Sequence, residues 1–110
     1  MDSRPTSALD RGLRALADPT RLRIVAALRE RERCVRDLCD ALHLGQPLVS
    51  HHVGQLVTAG LVTGRRAKGY TLYRIDPAGA TALRGELDLL LDADALVGAA
   101  RRGGGEQCCR

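Results

Sequence analysis

Four thiols, two adjacent histidines and a knot of cations are the residues of this chain best equipped for specific chemistry. On a 3.6-residue repeat beginning at Gln46, the side chains of Gln46, Ser50, His51, Gly54, Gln55 and Thr58 share one face. They are short, uncharged and rich in donors and acceptors, which suits hydrogen bonding to base edges in a major groove without repelling phosphate. Arg65, Arg66 and Lys68 follow, where they could reach phosphates or the neighbouring minor groove, and no acidic residue occurs between Ala41 and Ile75. Cys34, Cys39, Cys108 and Cys109 are soft donors. In a cytoplasmic chain of this kind they are expected to be reduced thiols rather than a disulfide framework.

The elements that must position these groups follow from spacing. Gln46-Pro47 opens a helix, because proline is tolerated in the first turn, and Val49, Val53, Leu56 and Val57 form its buried stripe. Gly60 closes it. Leu61 to Arg66 and Tyr70 to Ile75 read as paired strands around a tip at Ala67-Lys68-Gly69, where glycine supplies the positive φ of the turn. Upstream, Leu9, Leu13 and Leu16 mark a first short helix. Asp18-Pro19 then caps and opens a second, whose Leu22, Val25 and Leu28 face inward. Arg29 to Arg33 reads as a solvated helix end. Val35, Leu38 and Leu42 mark a third helix, and His43-Leu44-Gly45 is a tight turn into the fourth, completing a helix-turn-helix. Pro77 begins a fifth, with Ala80, Leu83, Leu87 and Leu90 on one face, reaching about Val97. The expected architecture is mostly α with a two-stranded β-wing, a winged helix-turn-helix of order ααα-α-ββ-α. Residues 1–100 form its DNA-binding and dimerisation domain, and residues 101–110 a flexible tail containing glycine and cysteine.

A chain of 110 residues without Phe or Trp must build its core from aliphatic side chains, so a second copy is expected to help bury surface. The net charge of +4 is unevenly spread. Residues 1–75 hold 13 Lys and Arg against 7 Asp and Glu, whereas residues 76–100 hold 1 against 5. The positive field therefore belongs to the part that would face nucleic acid. No stretch approaches the roughly 20 apolar residues of a membrane span, and no signal-peptide core follows Met1, so the cytoplasm is the expected compartment.

Four segments in order, Leu16-Ala17-Asp18-Pro19-Thr20-Arg21-Leu22, Val35-Arg36-Asp37-Leu38-Cys39, Gln46-Pro47-Leu48-Val49-Ser50-His51-His52-Val53, and Gly69 with Tyr73-Arg74, resemble the ArsR/SmtB family of metal- and metalloid-sensing repressors. The resemblance runs from about Ala8 to the end. It implies a homodimer joined through the first and last helices, bound to an operator inverted repeat in double-stranded DNA until an inducer loosens it. Ser50 and His52 fall on the family's recurring serine and histidine, and His51 stands where a basic residue is common. The expected DNA contacts are therefore Gln46, Pro47, Ser50, His51, His52, Gln55, Arg65, Arg66 and Lys68.

The family's thiol site on the third helix reads Cys-Val-Cys-Asp-Leu-Cys. Here Cys34 and Cys39 keep its outer cysteines, and Arg36, which cannot ligate, replaces the middle one. Residues five apart on a regular helix point about 140° away from each other, so these two thiols chelate poorly unless the helix begins after Cys34. Cys108 and Cys109, together with Cys34 or Cys39, could make a site, even across the dimer. Three thiolates suit trivalent arsenic or antimony, favoured here over cadmium or lead, which usually want a fourth donor. Beside this reading stand others: Cys39 as a small core residue near Leu38 and Leu42, and Cys108-Cys109 as an inert end.

The family's second site, on the last helix, begins Asp-x-His. Asp92-Ala93-Asp94 keeps only its first ligand, which makes nickel or zinc sensing through Asp92, Asp94 and Cys108 a minor alternative. A third reading keeps the DNA reader without a metal. It would then be constitutive, redox-responsive through Cys108-Cys109, or served by a separate effector-binding protein. Enzyme chemistry has no support. There is no carboxylate pair on a cleft-forming segment, no glycine-rich phosphate loop and no Cys-x-x-Cys.

Overall fold

A computed structural model describes residues 7–92. They form α1 (Ala8–Leu16), α2 (Pro19–Glu30), α3 (Val35–Leu42), α4 (Gln46–Thr58), the antiparallel strands β1 (Val62–Ala67) and β2 (Tyr70–Ile75), and α5 (Pro77–Leu90). This is the winged helix-turn-helix order read from the sequence.

Local chemistry sets the helix starts. Asp18 accepts from the Thr20 and Arg21 amides at 2.8 and 3.1 Å with Pro19 at the first helical position, and Asp76 does the same for Ala78 and Gly79 with Pro77 behind it. Ser7 caps α1 through the Asp10 amide at 3.1 Å. Each such cap is worth about 1 kcal/mol. Between α3 and α4, His43 adopts a left-handed conformation (φ 57°) and the Leu44 amide donates to the Cys39 carbonyl, which sets the angle of the helix-turn-helix.

The core is aliphatic throughout. Ile24 and Leu28 of α2, Leu38 and Leu42 of α3, Val49, Val53 and Leu56 of α4, and Leu61 and Val62 at the wing root pack into one cluster, which Ala15 and Leu83 close from α1 and α5. At roughly 1.5–3 kcal/mol for each large buried side chain, this is a modest store of hydrophobic energy.

Several inward faces differ from the expected ones. On α2 the buried side is Ile24 with Leu28, and Leu22 is 52% exposed. Two apolar frames were open to this helix, and the one used also points Arg21, one turn ahead of Ile24 and Val25, toward α4. On α1, Leu13 faces outward because small Gly12 and Ala15 form the contact. A Cβ at Gly12 would meet Leu83 Cδ1 at 2.9 Å. On α4, Val57 is exposed and His52 joins the buried stripe. Helix α5 ends at Leu90, and the residues from there toward Val97 lie mostly outside the described range.

The run Arg29–Arg33 is not simply a solvated end. Arg33 is buried at 8% exposure and pairs with Tyr73 like a residue of a third strand, its amide donating to the Tyr73 carbonyl at 3.1 Å and its carbonyl receiving the Tyr73 amide at 2.8 Å. Its guanidinium donates to the Ala27 carbonyl and pairs with Glu30 at 2.6 Å. The charge is tolerated because backbone and carboxylate oxygens satisfy its donors.

Candidate nucleic-acid interface

The outer face of α4 offers Gln46, Pro47, Ser50, His51 and Gln55, all exposed, with no charged side chain anywhere on the helix. Gly45 precedes it without a side-chain cap, so its first amides are not screened by a neighbouring side chain. His52 departs from this set. It is 8% exposed, and its Nδ1 accepts from Arg21 Nε at 3.0 Å. The hydrogen bond ties α4 to α2. Arg21 also donates to the Ala15 carbonyl at 3.4 Å. The Asp18 carboxyl lies below the usual carboxylate range, chiefly because the Arg21 amide donates to it, with further help from Thr20 and the nearby His52 and Arg21 side chains. Asp18, Arg21 and His52 thus form a polar brace behind the reading helix. Sequence reasoning gave Asp18 a role as a cap and His52 a role at the DNA, but nothing in the spacing reveals a pairing 31 residues apart.

The hairpin pairs Val62 with Ile75 through to Ala67 with Tyr70, leaving a two-residue turn. Both turn residues, Lys68 (φ 47°) and Gly69 (φ 88°), are left-handed, the geometry that matches the natural twist of the strands. The expected positive φ at Gly69 is therefore joined by one at Lys68, which sits exposed at the apex. Arg66 is exposed and contacts Thr71 Oγ1 at 3.3 Å. Arg65 is different. Its Nε and Nη2 donate to the two oxygens of Glu32 at 3.1 and 2.8 Å. That fork holds the Glu32 carboxyl below its ordinary range and raises the Arg65 guanidinium, and the charge of Arg74 adds to the effect on Glu32. Glu32 is a site residue the sequence reading missed, hidden in a run of alternating charge.

Cys34 is the N-cap of α3, and its Sγ accepts from the Asp37 amide at 3.4 Å. The helix begins at the next residue, so the 140° divergence of a continuous helix does not apply to Cys34 and Cys39. Both are half-buried free thiols. Cys34 lines a shallow groove with Tyr70, Thr71 and Tyr73, whereas Cys39 opens onto another beside Gln46. Among the described residues no group of three His, Cys, Asp or Glu could hold a metal ion. Cys108, Cys109 and Asp94 lie outside the described residues, and Asp92 stands just beyond α5. No helix among the described residues is long and apolar enough to cross a membrane.

Comparison with known proteins bears on these features together. A family model described as bacterial regulatory protein, arsR family, matches residues 18–63, from the cap of α2 to the start of the wing. The HTH-type transcriptional repressor SmtB of Mycobacterium tuberculosis is 57% identical over 63 residues, 57% of this chain and 47% of that protein, so the match spans about half of that relative. An HTH-type transcriptional regulator of the same organism is 43% identical over 79 residues, 72% of this chain and 74% of its own length. Among solved structures, a "possible transcriptional regulator for arsenical resistance" superposes with a TM-score of 0.67 at 35% identity, covering 82% of this chain and 96% of that one. A homodimeric winged helix-turn-helix DNA-binding domain from Mycobacterium bovis, studied in solution, gives 0.66 at 25% identity over 86% and 94%. The chain belongs to the ArsR/SmtB family of bacterial regulatory proteins, whose members are DNA-binding transcriptional regulators and not enzymes.

Proposed function

We propose that this chain is a transcriptional repressor that binds operator DNA as a homodimer and is released by a thiophilic metal or metalloid. One observation carries the DNA reading: the exposed face of α4 is uncharged and rich in hydrogen-bonding groups, and it lies in a fold that also presents a hairpin tipped by Arg66 and Lys68. The α4 face suits base edges, the wing suits phosphate, and Gln46, Pro47, Ser50, His51 and Gln55 are the contacts proposed on the helix. His52 acts from behind, holding α4 against Arg21.

The homodimer is supported by leucines left outside the core. Leu13 on α1 and Leu89, Leu90 and Leu91 at the end of α5 are 39%, 81%, 59% and 67% exposed, and α1 and α5 pack against each other. A second copy would cover this apolar end, and two-fold symmetry would match an inverted repeat.

For sensing, Cys108 and Cys109 would supply two thiolates and Cys34, or Cys39, the third, from the same chain or its partner copy. That donor set fits arsenite or antimonite better than cadmium or lead. The bound ion would supply a cross-link between segments. This chain's own residues give the response. The Cys34 sulfur that would ligate is the one now capping α3, and the residue before it is paired to the wing. Recruiting that sulfur therefore frees the Asp37 amide and loads the segment joined to β2.

Release of the chain from a duplex of its own promoter, measured by fluorescence anisotropy, tests both parts. Arsenite should release the unmodified protein, while Cys34→Ser and Cys108→Ser with Cys109→Ser should resist it. Equal release of a variant lacking every cysteine by arsenite, cadmium, nickel and peroxide would remove thiol sensing. Absence of preference for the promoter over random DNA would remove the repressor reading.

A further inference from the structure

Glu32 is an acidic residue set against the cations of the wing. Its carboxylate occupies both hydrogen bonds of the Arg65 fork, at 3.1 and 2.8 Å. The charge of Arg74 also acts on it. Arg74 lies opposite Thr63, two residues from Arg65, so both arginines project from the same side of the hairpin. The carboxylate is held there from behind, because the next residue, Arg33, exchanges two backbone hydrogen bonds with Tyr73. Among the described residues Arg66 and Lys68 carry no carboxylate partner, so of the three cations at and beside the hairpin tip the ion pair engages Arg65 alone. The pair is open to solvent, with side chains 58% and 32% exposed, and a phosphate oxygen can compete for the same guanidinium. Exposed pairs of this kind are weak, so the competition is close to balance.

We propose that Glu32 is a selectivity residue of the nucleic-acid interface, competing with DNA phosphate for the Arg65 guanidinium and so lowering the sequence-independent part of duplex binding. The inference rests on the DNA-binding reading above. Attraction to phosphate is shared by every duplex and adds nothing to discrimination, so restraining one cation raises the share of the total carried by base contacts on α4. Removing the carboxylate makes the Arg65 guanidinium available to phosphate beside Arg66 and Lys68.

The test is a double-mutant cycle on the full-length chain, binding both a random-sequence duplex and its own promoter duplex across a salt series. Glu32→Gln should bind the random duplex about two- to fivefold more tightly at low salt, the range an exposed ion pair allows. Its plot of log K against log salt should steepen by up to about 0.9, the increment of one added phosphate contact. Glu32→Lys should do the same more strongly. Arg65→Gln should change the slope little when Glu32 is present and remove the added slope when Glu32 is replaced by glutamine. Thermal melts of each variant separate these effects from loss of folding. An unchanged slope in folded Glu32→Gln overturns the proposal. So does an Arg65→Gln effect of equal size in both backgrounds, which would reduce Glu32 to a general contribution to net charge. If the unmodified protein binds neither duplex, the DNA-binding reading itself has failed, and that result is distinct from either of these.

Discussion

Helix α5 meets the end of the reading helix through two glycines, and replacing Gly79 with alanine tests that contact. A Cβ at position 79 would overlap the carbonyl oxygen of Gly60 and sit 2.9 Å from its carbon. Both obstacles are main chain, so no rotamer change relieves them. Gly60 is itself fixed in a left-handed conformation (φ 82°) between α4 and β1, and the Asp76 amide holds the Leu61 carbonyl at 2.9 Å immediately beside it. Forcing the two segments apart should cost on the order of 1–3 kcal/mol, as overpacking of a tight contact does. Alanine's better helix propensity offsets at most about 1 kcal/mol of this. The net expectation is a loss of about 1–2 kcal/mol, lowering the melting temperature by about 4–8 °C for each kcal/mol in a domain of this size. Gly85, on the same helix, has open space where its Cβ would stand. Gly85→Ala should therefore stabilise by about 0.5–1 kcal/mol. The assay is thermal unfolding at one fixed protein concentration, since dimerisation makes apparent stability depend on concentration. A Gly79→Ala protein as stable as Gly85→Ala would refute the close seating of α5 on the end of α4.

Other expectations concern the reader and its supports. Alanine at Ser50 or Gln55 should erode preference for the promoter by about 1–3 kcal/mol for each hydrogen-bonded base pair no longer read, with little change on random duplexes, as followed by competition binding. Joint replacement of Arg66 and Lys68 by alanine should weaken all DNA alike and reduce the salt slope by up to about 1.8, at about 0.9 for each phosphate neutralised. His52→Asn keeps a side-chain acceptor for Arg21 and should unfold closer to wild type than His52→Leu, which leaves the guanidinium donor unmatched at a cost of about 1–3 kcal/mol; equal melting of the two would count against the brace. Asp18 has its carboxyl held low in the folded state, so its contribution is present above the ordinary carboxylate range and is lost as pH falls through the folded value. Asp18→Asn keeps the cap without the titration, and its stability should fall less steeply below about pH 4 in acid-unfolding curves.

The parts of this fold legible in the sequence are those written in short-range chemistry. Asp18-Pro19 and Pro77 start helices where expected, because cap and proline act within one turn. The hairpin tip is where glycine and strand-like alternation put it. Helix facing was less legible where two apolar frames competed, as with Leu22 against Ile24, because the decision lay in a contact with a distant element. His52 carries the same lesson within the site. The family resemblance set it with Ser50 and His51 at the DNA, but it stands on the side of α4 carrying Val49 and Leu56, where Arg21, remote in sequence, gives its ring a partner. Arg33 and Glu32 were unreadable for a related reason. A run of alternating charges looks solvated until a strand arrives to pair with its backbone, and the register that brings Tyr73 there is a property of the folded hairpin.

That register gives the segment between α2 and α3 its importance. Glu32, Arg33 and Cys34 are consecutive, and each is bonded to a different structure: Glu32 to Arg65 of β1, Arg33 to Tyr73 of β2, and Cys34 to the first turn of α3. These links are unequal. The ion pair is exposed and weak, whereas the two backbone hydrogen bonds of Arg33 belong to a residue 8% exposed and cannot be traded for water without cost. A displacement at Cys34 is therefore passed to the hairpin through Arg33, with Glu32 following or letting go. Cys39 has no such route, since it sits within α3 beside the core and can move only with that helix and, through the turn at His43, with α4. Cys34 and Cys39 thus address different halves of the proposed DNA-facing surface, one through the wing and the other through α4.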